Sequence, residues 1–253
     1  LSKPFLEHLY NAFQEGTKIS RLSLSKNKFG PESAELIQFI IRDFPSLTYL
    51  DLSSNHFKDE GLILIAQGIK CNTTITSIDL TETDMTDKSG VEYSNVISTH
   101  PSLQKLYLSE NSLTDISGVE IAYALFSNQT LIVLSLSNNE LRDDSAYAFL
   151  EALNVNSTIA EINVDYNDFG PNAYVDLSKK IEEHKQNIAD LDSEYEEKMK
   201  IYEETEAKFS SQHDEIANEE KQLQEQRKKI DLKIKQIEAP YQSLLDAVEK
   251  RDK

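Results

Sequence analysis

The 253-residue sequence is short of the residues that staple or punctuate a chain: one cysteine (Cys71), seven glycines, six prolines and no tryptophan. A single cysteine excludes a disulfide framework and a cysteine-rich metal site. With so few glycines there is no phosphate-cradling loop; neither G-x-x-x-x-G-K-[ST] nor G-x-G-x-x-G occurs. Positive charge is also scarce, with 26 basic residues against 44 acidic ones. That balance argues against nucleic acid as a main partner, because a phosphate-binding surface needs clustered Lys and Arg. No apolar run approaches the ~20 residues of a membrane span, and no charged-then-apolar signal segment opens the chain. The chain starts at Leu1 rather than Met, which leaves an N-terminal piece open. These deficits point to a soluble, cytoplasmic, acidic protein. Three N-x-[ST] sequences, at Asn72, Asn128 and Asn156, would matter only in a secreted one.

What is present is a repeat. Leu47-x-x-Leu50-x-Leu52-x-x-Asn55-x-Phe57 has a counterpart in Ile19-x-x-Leu22-x-Leu24-x-x-Asn27-x-Phe29. The same spacing returns with its asparagine at 111, 139 and 167, and with Thr83 in its place once. These six copies are each 28 residues apart, which chance does not produce. Between them lie segments with helical spacing, such as Leu62, Ile65, Ala66 and Ile69. Each unit is therefore a short strand followed by a helix. Thr83 and the weakly apolar Ser89–Ser98 segment mark the third unit as the weakest, with some distortion expected. Pro31 suits the first turn of its helix. Phe5, Leu6, Leu9 and Phe13 share a helical face that could cap the first strand.

The motif resembles the leucine-rich repeat, L-x-x-L-x-L-x-x-N-x-L, and the period with a full helix resembles its ribonuclease-inhibitor-like class. The resemblance covers residues 19 to about 184. It implies an α/β solenoid of six strand–helix units with a parallel sheet on the concave side. The expected division is a capping helix over 1–18, the repeat arc over 19–177 and a long helical coiled coil over 178–253.

A fold does not give a function, so recognition must come from positions the stack does not need. The candidates on the inner face are Arg21, Tyr49, Asp51, Asp79, Lys105, Tyr107, Asp165 and Tyr166. The first unit is basic there and the third to sixth are mostly acidic. Such a polarised groove with aromatic anchors suits a protein partner bearing a basic patch. Enzyme readings fare poorly, and neither catalytic residue nor cofactor is expected. The five histidines are scattered. Asp79, Glu82, Asp84 and Asp87 are acidic, but the following glycine is Gly90, which does not fit a calcium loop.

The C-terminal part has a different rhythm. Ile181, Ile188, Tyr195, Tyr202, Phe209, Ile216, Leu223, Ile230, Ile237 and Leu244 recur every seven residues. A straight helix drifts ~20° per heptad from that spacing, so a strict seven implies a helix supercoiled around a partner. The second seam position is mostly polar, which favours a hetero-coiled-coil in a multi-subunit complex. Some 60 residues would reach about 90 Å. A hairpin near Ser210-Ser211 competes, and Pro240 is expected to end or kink the helix. Arg227, Lys228 and Lys229 centre a basic cluster after an acidic stretch.

The reading that follows is a non-catalytic interaction scaffold bound to proteins through arc and helix, with no nucleic acid and no membrane. Its layout is similar to leucine-rich-repeat subunits of ciliary axonemes, which implies a microtubule-associated cytoskeletal assembly. Two alternatives remain: an actin-binding protein resembling tropomodulin, and a GTPase regulator resembling the Ran GTPase-activating protein, in which Arg21 would act.

Overall fold

The backbone is described over residues 3–14 and 18–251 of a computed structural model; side chains 1–3, 13–17, 192, 212–216, 237 and 239–253 lie outside the description. Two compact units emerge, Leu1–Asp190 and Leu191–Lys253.

In the first unit the 28-residue period becomes a strand–helix alternation. Helix α1 (Lys3–Gln14) precedes strand β1 (Arg21–Ser23), and a 3-10 turn at Pro31–Ser33 leads into α2 (Ala34–Asp43). Then follow β2 (Tyr49–Asp51), α3 (Lys58–Cys71), β3 (Ser77–Asp79), α4 (Asp87–Thr99), β4 (Lys105–Tyr107) and α5 (Asp115–Leu125). The series closes with β5 (Val133–Ser135), α6 (Asp143–Ala152), β6 (Glu161–Asn163) and α7 (Pro171–Arg251). All six strands form one parallel sheet in chain order. Parallel strands need a crossover, and here each is a helix.

The register equals the period: Leu22, Leu50, Ile78, Leu106, Leu134 and Ile162 lie level across the sheet and are buried. Helix residues such as Ile37, Ile65, Ile121 and Phe149 close over them, and Phe29 stacks on Phe57 at 6.4 Å. At the open N-terminal end Leu6 is buried, while the Tyr10 hydroxyl donates to Asp43 at 2.6 Å. Phe5 is largely exposed instead of joining that face, and the Phe13 side chain lies outside the description.

The asparagines hold the bends where the chain leaves each strand. Asn139 Nδ2 donates to the carbonyls of Leu108, Leu136 and Ser137, and its Oδ1 accepts the Leu113 N–H. Asn55, Asn111 and Asn167 repeat this arrangement. Thr83 breaks the series. Its hydroxyl donates to the Leu80 carbonyl, but no side-chain amide is present to meet the Phe57 N–H. The expected distortion does not follow: β3 pairs in register on both sides, and the buried Tyr93 donates to the Leu62 carbonyl. A backbone bond from Asn55 N to Glu82 O bridges the gap.

Two further ladders share the period. Asp59, Asp87, Asp115 and Asp143 sit in the first turns of α3 to α6, where the helix dipole favours a carboxylate. Each reaches forward to the next unit: Asp59 accepts from Thr86 and Ser89, Asp87 from Thr114, Asp115 from Ser145 and Arg142 N, Asp143 from Gly170 N. Burial pushes Asp59 and Asp87 up, but these hydrogen bonds outweigh it and hold both below the usual carboxylate range.

The other ladder is Asn72, Asn128 and Asn156, all buried. Each amide donates back to a helix carbonyl (Ile41, Ile97, Leu125), and each Oδ1 accepts two N–H groups of the turn leading into the next strand. These are the three sequon asparagines. Their Nδ2 atoms are engaged inside the fold, so the sequon pattern records a turn and not a glycan acceptor. His100 occupies the same register position, its Nδ1 accepting from Ser102 N.

The second unit is helical throughout its described length. Helix α7 runs through Ser210-Ser211, so the competing hairpin is absent, and it runs past Pro240 rather than ending there. A proline inside a helix removes one intrahelical bond. The described seam residues Tyr195, Tyr202, Phe209, Leu223 and Ile230 are all exposed; Ile216, Ile237 and Leu244 lie outside the described side chains. No helix among the described residues is long and apolar enough to cross a membrane.

Candidate functional site

Each three-residue strand buries its middle residue and turns the flanking two away from the helices. In-register pairing converts those flanking positions into two rows. One reads Arg21, Tyr49, Ser77, Lys105, Val133, Glu161; the other reads Ser23, Asp51, Asp79, Tyr107, Ser135, Asn163. Neighbours in a row are about 4.8 Å apart, the inter-strand spacing. Residues 28 apart in sequence thereby become one surface.

Five of the eight predicted inner-face residues line a single groove of about 500 Å³: Arg21, Tyr49, Asp79, Lys105 and Tyr107. The Arg21 guanidinium carbon lies 3.8 Å from the Tyr49 ring centroid, a stacked cation–π pair. Stacking fixes the tyrosine plane and leaves the guanidinium N–H groups at its rim to donate. Burial raises the Tyr49 and Tyr107 pKa values, and nearby carboxylates add to it, Asp51 and Asp79 for Tyr49, Glu161 and Asp79 for Tyr107. Both phenols thus stay neutral donors at physiological pH. Asp51 is on the same row, but its carboxylate is already taken by Ser23 and Ser53 hydroxyls at 2.7 Å. Those bonds overcome burial and keep its pKa low.

Asp165 and Tyr166 are elsewhere. Asp165 lines a second groove of about 370 Å³ between β6 and the start of α7, and accepts from the Tyr174 hydroxyl at 2.9 Å. Tyr166 is 80% exposed at φ 56°, a left-handed conformation that an aromatic residue rarely adopts. The residue before the asparagine is left-handed in every unit: Lys26, Ser54, Glu82, Glu110, Asn138 and Tyr166. The bend requires it, and none of the six is glycine.

Arg227, Lys228 and Lys229 are exposed on α7 in the second unit. Among the described residues no group of acidic, histidine or cysteine side chains is placed to hold a metal ion.

Sequence reasoning missed Thr48, Thr76 and Gln104, which also line the first groove. They occupy the first variable position of the motif, whereas the inner face was read from the second variable position onward. The signal was available: Thr48 and Thr76 recur at the period and their hydroxyls donate to the carbonyls of Ser20 and Thr48.

Comparison with known proteins accords with this geometry. Residues 45–66, 71–92 and 127–150 match a family model described as Leucine Rich repeat, and residues 102–123 match a second of the same description. These segments are the second to fifth units. No curated protein matches the sequence. Among solved structures, "Leiomodin-1 Actin-Binding Site 2" is 15% identical at a TM-score of 0.50, covering 76% of this chain and 94% of that one. The tropomodulin C-terminal domain of Caenorhabditis elegans is 14% identical at a TM-score of 0.50, covering 73% of this chain and 95% of that one. At such identities the likeness establishes the fold.

Proposed function

We propose that the chain is a non-catalytic scaffold that recognises a protein partner on the open face of its sheet. The observation that carries this is the 500 Å³ groove, where a stacked arginine–tyrosine pair, a second tyrosine and Asp79 converge on a rigid sheet. Aromatic and arginine side chains fixed by their surroundings bind with little ordering cost. Arg21 and Lys105 flank Asp79 in the groove, so it suits a segment of mixed charge. The 28-residue unit with a full helix supports the ribonuclease-inhibitor-like class for the solenoid.

The test is residue-specific photo-cross-linking in cells from Lys105, at the edge of the groove. Tyr49→Ala with Tyr107→Ala should abolish the cross-linked product, and Tyr123→Ala on the outer helical face should not. Loss in both, or in neither, rejects the groove.

The finer reading is a cytoskeletal assembly, with the residues from Leu191 onward as a tether to another subunit's helix. Its ciliary form predicts co-purification with axonemal microtubules at high salt; a freely soluble monomer sinks it. The actin-binding reading is favoured by the fold shared with actin-binding site 2 of leiomodin-1 and with the tropomodulin C-terminal domain. Actin-filament pelleting decides it. For the GTPase-regulator reading, Arg21→Ala must lower GTP hydrolysis by the candidate GTPase; no change removes it.

A further inference from the structure

The sheet has an unfinished edge. Five times over, the residue after a strand donates to the strand that follows: Leu24 N to Asp51 O, Leu52 N to Asp79 O, Leu80 N to Tyr107 O, Leu108 N to Ser135 O, Leu136 N to Asn163 O. The next member is Val164 N–H. A parallel series joins Lys26, Ser54, Glu82, Glu110 and Asn138 N–H to the carbonyls of Ser53, Thr81, Ser109, Ser137 and Asp165; its next member is Tyr166 N–H. On the acceptor side the carbonyls of Ser20, Thr48, Thr76, Gln104 and Ile132 each take two N–H groups, and Ala160 C=O is next. The sheet ends at β6, so these three groups face its edge, with no following strand among the described residues.

The space beside them is the second groove. Its floor is Ile162, Val164 and Ile181, and its walls carry Glu161, Asp165 and Glu182 against one cation, Lys185. The start of α7 forms the far wall through Tyr174, Ser178 and Ile181. A strand lies about 4.8 Å from its neighbour, so one extended segment fits between β6 and the helix. A whole further repeat, with its own helix, does not, because α7 already covers that end of the core through Ala173 and Leu177.

We propose that this edge binds an extended basic segment of a partner protein as a seventh, parallel strand. Its backbone would fill the Val164 and Tyr166 N–H groups and the Ala160 carbonyl. One apolar side chain would rest on Ile162 and Ile181, and the flanking lysines or arginines would face Glu161, Asp165 and Glu182. Strand addition of this kind takes affinity from the main chain and specificity from alternate side chains. The site is separate from the Tyr49–Tyr107 groove, and either can fail without the other.

The test uses the full chain and a fluorescent peptide alternating Lys and Val, with a Glu–Val peptide as its opposite. The expected result is saturable binding of the Lys–Val peptide and slower hydrogen exchange at the Val164 and Tyr166 amides. Glu161→Lys with Glu182→Lys, two solvent-facing substitutions, should weaken binding at least tenfold. Tyr49→Ala with Tyr107→Ala should leave it unchanged. Equal binding of the Glu–Val peptide, protection confined to the first groove, or an edge filled by a second copy that excludes the peptide would each overturn the proposal.

Discussion

The two units of this chain are both written as repeats, and they use repetition in opposite ways. In Leu1–Asp190 the period is 28, and what repeats packs inward or against the next unit: a buried leucine row, an asparagine ladder and a half-buried aspartate ladder. In Leu191–Lys253 the period is seven, and the repeating side chains among the described residues are exposed, Phe209 at 68% and Tyr195 at 64%. A repeat whose partner lies one period along the same chain closes on itself. A repeat on one helix face cannot, since residues seven apart lie along one stripe and never face each other. Stability should therefore be concentrated in the first unit.

The largest expected contrast is between Asn139→Ala and Phe209→Ala. The first strands three carbonyls and the Leu113 N–H in a buried site, and should cost about 3 kcal/mol in urea unfolding of the repeat unit. The second, on an exposed face, should change it by less than about 0.5 kcal/mol. A comparable loss from both would erase the distinction.

Gly118→Ala comes next, at about 2 kcal/mol. A Cβ there would press on Ser145 Oγ and Leu141 Cδ2, because α5 and α6 approach closely at that glycine. A neutral result would show that the helix layer can relax.

Two substitutions should strengthen the arc. Tyr166→Gly removes a left-handed aromatic and should add about 1 kcal/mol. If Tyr166 also contacts a partner, affinity should fall as stability rises. Thr83→Asn supplies the missing acceptor for Phe57 N–H and should add about 1 kcal/mol, read as a higher urea midpoint. Failure of Thr83→Asn would mean that the Asn55 N to Glu82 O bond already repairs the gap.

The smallest effect is pH dependence. Burial holds His100 and His184 below the ordinary histidine pKa, partly offset by backbone carbonyls. The unfolded chain then binds more protons, so this stability is intact above about pH 6.5 and is lost as pH falls through the lowered folded values. His100→Asn restores the amide of its ladder and should flatten part of that slope. An unchanged slope would exclude His100 as its source.

Much of this was legible from spacing alone. The motif from Leu47 to Phe57 gave the strand, the bend and the unit length, because burial of a leucine row needs the same residue at the same place each time. The groove was half legible: Tyr49, Asp79 and Tyr107 were read from the variable positions, while Thr48 and Gln104 were overlooked. The sequons at Asn72, Asn128 and Asn156 are spaced 56 and 28 residues apart, multiples of the period, and that spacing already marked them as structural. Pro240 suggested a break, and the helix runs past it.

By itself, then, the sequence determined the local pieces: strand, bend and helix in a 28-residue cadence, and a single amphipathic stripe at seven. Periodicity does this because it records which residues must share an environment. Tertiary structure decided which distant residues meet. Arg21 and Tyr49 stack because pairing in register puts residues 28 apart about one strand spacing apart. It also decided where the ladder stops, leaving Ala160, Val164 and Tyr166 with backbone groups that no later unit fills. An open edge is a property of the stack and not of any residue in it.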